Sequence, residues 1–328
     1  MLRLQMESYN FFIDREGRLR SGWRVAIFVV AFYICAQMGQ AFLFASGRRV
    51  LGLSSTEMIR SEWSYVTGAI ASAISALLVG WACGRLFEGL PFRALGCSRH
   101  RGWLKNLGIG TVVGAASLFL AALLATITRG IQFHFDLAGA RSISETLAIS
   151  LGIFVLGAAG EEVLFRGYPL QTLTRANLAW LGVLLTSEPF AAAHLINPHA
   201  VPGFTFLNTA LAGVWLAVAY VRTRSLWLPF GLHWSWNWAQ ASLLGLPVSG
   251  LTRIAPAPLL HAINAGPNWL TGGAYGIEGG AACSIALIIS ILVVWRTKLI
   301  VRADVTEPRA DRGPYAGSPR GVVDATGS

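Results

Sequence analysis

Apolar residues run through this chain in blocks of about twenty, and the polar residues gather between the blocks. A bilayer core about 30 Å thick takes about 20 mainly apolar helical residues. Eight blocks approach that length: 23–46, 64–87, 107–128, 147–165, 178–196, 203–221, 226–245 and 280–295. The pattern predicts an all-α, polytopic membrane bundle of about eight transmembrane helices. The first block is too long for the apolar region of a signal peptide and reads as a retained helix. Residues 1–22 form an expected cytoplasmic segment and 23–300 the expected membrane domain. The stretch 306–328 is an expected disordered cytoplasmic tail, because its four Gly and three Pro come without apolar periodicity. The long connection 246–279, with Pro, Gly and three apolar patches, is expected to dip into the interface or cap the outer face.

Composition strengthens this reading. Of 328 residues 54% are hydrophobic and only 13% charged, against about 25% charged in soluble domains. Cys35, Cys83, Cys97 and Cys283 are scattered and form no disulfide framework. The net charge of +10 would ordinarily suggest nucleic acid, but its placement points elsewhere. Alternating the loops by side puts 20 of the 26 Lys and Arg residues on the side of the termini and 6 on the other. That asymmetry follows the positive-inside rule, with both termini cytoplasmic and an even number of spans. The expected setting is a multi-pass protein of the plasma membrane, in contact with lipid and not with nucleic acid.

Ionisable side chains inside a membrane are costly and mark functional sites. Three clusters qualify: Glu161, Glu162 and Arg166; Phe190 and His194; His233 and Asn237. Glu162 and Arg166, four apart with the acid first, suit a helical ion pair, which assigns them to structural support. Glu161 points about 100° away and has no local counter-charge, so it is the candidate base. Phe190 lies one turn before His194 and would restrict its imidazole. His233 and Asn237, also one turn apart, can present two donors to an oxyanion. Together these residues suit water activation for attack on an amide carbonyl. A non-enzymatic scaffold or immunity-type protein, using the same groups as a buried polar network, is the alternative.

Glu161-Glu162-Val163-Leu164-Phe165-Arg166, Phe190-Ala191-Ala192-Ala193-His194 and His233-Trp234-Ser235-Trp236-Asn237 resemble the EExxxR, FxxxH and HxxxN motifs of the CAAX proteases and bacteriocin-processing enzymes. These are also called Abi or CPBP intramembrane endopeptidases. The resemblance covers about 145–245, the expected catalytic core. It implies a peptidase acting on a membrane-associated protein or peptide, prenylated or bacteriocin-like. Glu161 and His194 would activate water, and His233 and Asn237 would steady the oxyanion. No cofactor or metal is demanded, although Glu and His can bind zinc, which keeps a zinc-dependent version of the protease open.

Two features sit awkwardly. Glu188-Pro189 adds an acid and a helix-disturbing residue to the fifth block, about 240° round from His194. Simple spans would also place Glu161 and His194 about 15 Å apart in depth, unless 167–177 stays within the membrane. Among weaker signals, Gly80 with Gly84 and Gly110 with Gly114 have the spacing of close helix contacts. Trp227, Trp234, Trp236 and Trp238 could form an interfacial belt or line a substrate cavity, with belt or packing the expected reading.

Overall fold

The computed structural model describes residues 11–14, 17–60, 62–135 and 139–304. The expected tail 306–328 and residues 1–10, 15 and 16 of the expected cytoplasmic segment 1–22 lie outside the described residues. The helices are α1 (Ser21–Leu51), α2 (Ser55–Arg60), α3 (Glu62–Glu88), α4 (Trp103–Ile127), α5 (Ala140–Glu162), α6 (Tyr168–Arg175), α7 (Ala179–His194), α8 (Phe204–Thr223), α9 (Trp227–Trp238), α10 (Asn268–Thr271) and α11 (Ala281–Arg296). One antiparallel hairpin joins β1 (Ile131–Phe135) to β2 (Leu260–Asn264), with His134 opposite His261. Each of the eight apolar blocks coincides with a helix. Five helical stretches among the described residues are long and apolar enough to cross a membrane: Ser21–Leu51, Val66–Glu88, Trp103–Ile127, Ala140–Arg175 and Phe204–Thr223. α7, α9 and α11 are 16, 12 and 16 residues long, below the twenty expected of a simple span. Large apolar side chains such as Phe42, Val112, Ile127, Leu184 and Ile288 stand exposed, the surface that an integral membrane protein offers to lipid.

The fourth block does not end where its carboxylates are. α5 passes into a π turn, Val163–Gly167, and resumes as α6. Pro169 in the first turn of α6 explains the widening, since its ring lacks an N–H and crowds the carbonyl four residues back. α6 is buried from Tyr168 to Thr174. The segment after the carboxylates is therefore packed inside the bundle. Glu88 at the end of α3 holds α6 in place: it accepts from Arg175 Nε at 2.7 Å and from the Thr172 hydroxyl, and Arg24 Nη1 of α1 lies 3.4 Å away.

α9, the carrier of His233 and Asn237, lies against α4 along a seam of small residues. A Cβ on Gly110 would run into the Leu228 carbonyl, and one on Gly114 into the Leu232 carbonyl and the Ser235 hydroxyl. Gly231 faces the same seam from α9, next to Gly110. The obstacles are mainly backbone, which cannot rotate aside. Gly114→Ala is therefore expected to lower stability by about 1–3 kcal/mol, the usual cost of overpacking. The melting temperature of the detergent-solubilised protein checks this, and an unchanged value would mean that the seam can open.

The 246–279 connection forms a cap over one end of the bundle. It contains β2, α10 and the 3-10 turns Gly273–Tyr275 and Ile277–Gly279. Asn208 of α8 anchors its end, donating through Nδ2 to the carbonyls of Glu278 and Gly280, each at 2.8 Å.

Candidate active site

Helix register brings the first motif together. Glu162, 1% exposed, ends α5; Arg166, fully buried, lies in the π turn. Arg166 Nη1 donates to Glu162 Oε1 at 3.0 Å, and Nη2 donates to the Gly213 carbonyl of α8 at 3.2 Å. The guanidinium also lies over the Phe190 ring, 4.6 Å from its centroid. A buried carboxylate needs such a partner, because an unpaired charge removed from water is very costly.

The second acceptance by the same oxygen was not expected. His233 Nδ1 lies 2.8 Å from Glu162 Oε1, and a carboxylate oxygen accepts there from the ring N–H. On the other side of the ring, Nε2 lies 3.7 Å from Glu161 Oε2. The two carboxylates leave α5 about 100° apart, yet both end on one imidazole. The expectation that they serve unconnected tasks gives way to a linked group, Arg166–Glu162–His233–Glu161. Glu161 is the more open member, its side chain 35% exposed. Its Oε2 is itself buried, and among the described residues no donor hydrogen-bonds to it.

His194 comes from the end of α7. Its Nδ1 lies 2.7 Å from the Phe190 carbonyl; a carbonyl only accepts, which places the proton on Nδ1 and leaves Nε2 as the acceptor. The Phe190 ring packs on His194 at 4.5 Å, on Phe165 at 5.2 Å and on His233 at 6.1 Å, centroid to centroid. Phe190 thus sits between the pieces that the simple depth estimate had kept apart.

His194, His233 and Asn237 line one cavity, together with Asn208, Ser249 and Glu278. The cavity has a volume of about 50 Å³, and since one water needs about 10–15 Å³, a few would fit. Glu161 is not among the residues that line the cavity, and it flanks the site at His233, which does line it. Glu188 lies on an exposed face of α7, away from the cavity, as its angle round the helix predicts. Trp236 lines the cavity, whereas Trp227 stacks near Trp103 at 4.7 Å. Among the described residues no three His, Cys, Asp or Glu side chains converge as a metal-binding group.

Asn208, Ser249 and Glu278 were absent from the sequence expectations. None belongs to a short spacing pattern, and tertiary structure alone brings them to the cavity. The one local signal was Glu278 itself, an acid within a glycine-rich stretch of a chain with only 16 acidic residues.

Part of this chain is similar to known proteins. A curated protein of Escherichia coli, described as "Uncharacterized 24.3 kDa protein", is 33% identical over 151 residues. The match covers 44% of this chain and 66% of that protein, just under two thirds of its length. No solved structure matches the chain. Residues 143–239 match the family described as type II CAAX prenyl endopeptidase Rce1-like. The segment bearing all three motifs is therefore an Rce1-like domain, of the CPBP family of endopeptidases.

Proposed function

We propose that this chain is an intramembrane endopeptidase that hydrolyses a peptide bond in a membrane-associated protein or peptide. The observation that carries the proposal is the convergence of Glu161, Glu162 and His233 beside a cavity that His194 and Asn237 also line. Glu161 and the free Nε2 of His194 share the attacking water, and one of them takes its proton as the oxygen adds to the scissile carbonyl. Asn237 donates to the oxyanion, and His233 can do so from Nε2 in its imidazolium form, its Nδ1–H being held by Glu162. The proton then passes to the leaving amine, with no covalent intermediate. Glu162, Arg166 and Phe190 hold the imidazoles in position.

The bundle in this reading crosses the plasma membrane eight times with both termini cytoplasmic. The 20 to 6 division of basic residues supports that orientation. Its membrane domain is 23–300, and its substrates include prenylated or bacteriocin-like chains. Comparing protein termini in membranes that hold the wild-type chain with those that hold His194→Ala tests the activity. Termini produced by the wild type are expected to vanish in the variant; identical sets would overturn the assignment.

A further inference from the structure

One cavity wall comes from outside the three motifs. Glu278 lies in the 3-10 turn just before α11 and lines the same cavity as His194, His233 and Asn237. Its position is built rather than incidental. Ser249 donates to Oε2 from its backbone N–H at 2.6 Å and from its hydroxyl at 3.0 Å. Asn208 holds the Glu278 main chain, and the Ser284 hydroxyl fixes Asn208 through its Oδ1 at 2.6 Å. Gly276, at φ +106°, lets the chain pass the Pro247 carbonyl where a Cβ would collide.

What the carboxylate lacks is a permanent cation. Among the described residues no Lys or Arg forms an ion pair with Glu278, and Arg24, Arg175, Arg166 and Arg141 are paired with other acids. Burial pushes its carboxyl above the usual range, against the pull of the two Ser249 hydrogen bonds, the His194 imidazole across the cavity and the Gln240 amide. A desolvated carboxylate fixed by donors gains most from a positive group brought to it, because charge-assisted hydrogen bonds are about twice as strong as neutral ones. The cavity has room for a few waters, and an ammonium head is of similar size.

We infer that Glu278 forms an acidic subsite that takes a cationic group of the peptide substrate and turns away a carboxylate. The group is either the side chain of a Lys or Arg beside the scissile bond or a free N-terminal amine. This inference rests on the peptidase reading above and narrows its substrate class.

The test uses peptides built on a cleavage site recovered in the terminus comparison, in lipid nanodiscs. A residue flanking the cleaved bond is set to Lys, Met or Glu, and each peptide is made with a free and an acetylated N-terminus. Wild type is expected to favour Lys over Met by about tenfold in kcat/KM, or the free over the acetylated N-terminus if the amine is the group bound, with Glu slowest. Glu278→Gln is expected to shrink that preference to about twofold or less and to raise turnover of the Glu peptide. Equal rates for all peptides with wild type, or a preference untouched by Glu278→Gln, would overturn the subsite and leave the peptidase standing. No cleavage by wild type would overturn both. If Glu278→Gln does not fold, the wild-type series alone decides.

Discussion

Glu161→Gln is expected to lower peptide hydrolysis by about 10²–10⁴-fold, the range that a positioned general base contributes, while the protein stays folded. The structure separates these two effects. Glu161 is about one third exposed, and its one ion-pair neighbour among the described residues is His233 at 3.7 Å. An amide of the same shape fits there without stranding a buried charge, but it cannot take a proton from water. Single-turnover cleavage in nanodiscs, with melting curves run alongside, checks both halves. Full activity in this variant would remove Glu161 from the chemistry, and a large drop in melting temperature would make it part of the scaffold instead.

Arg166→Met is expected to do the reverse and strike stability first. The guanidinium is fully buried and bridges Glu162 to the Gly213 carbonyl under the Phe190 ring. Met fills much of the volume but leaves a buried carboxylate with His233 as its remaining partner. Removing one member of a buried pair costs about 3–5 kcal/mol. Adding Glu162→Gln is expected to recover part of that loss, because the stranded charge goes with it. A double-mutant cycle read by denaturant or thermal unfolding measures the coupling. A single-variant cost under about 1 kcal/mol, or no recovery in the double variant, would show that the pair carries no structural burden.

The helical architecture was legible because lipid enforces long apolar runs: each of the eight runs falls on a helix, and five helical stretches among the described residues are long and apolar enough to cross a membrane. Span length was less legible. The apolar run 226–245 continues beyond Trp238, yet the α-helix gives way there to a π turn, Ala239–Leu243, which hydropathy does not distinguish. The candidate site residues stood out because acids and imidazoles at helical spacings within apolar runs are rare and conspicuous. Their connections were not. A spacing of one between Glu161 and Glu162 says that they diverge on their own helix, but not that an imidazole from α9, 71 residues further on, reaches both. Glu278 was missed for a related reason: its partners Ser249 and Asn208 are 29 and 70 residues away. Of the two glycine pairs with close-contact spacing, Gly110 with Gly114 seats a neighbouring backbone, whereas Gly80 meets chiefly the side chains of Leu95 and Tyr168. Spacing alone did not tell them apart.

The π turn between α5 and α6 also constrains how genes for such proteins can change length. A π turn accommodates one residue more than the helix around it. Deleting one codon within Val163–Gly167 would restore ordinary winding and leave the helix beyond it in nearly the same rotational phase, with Tyr168 still beside Phe28, which its ring now meets at 5.5 Å. A deletion inside α6, which holds no extra residue, would instead turn everything beyond it by about 100° and carry Arg175 away from Glu88. Single-residue length changes among related genes are therefore expected to be tolerated in the π turn and avoided in the regular helix on either side.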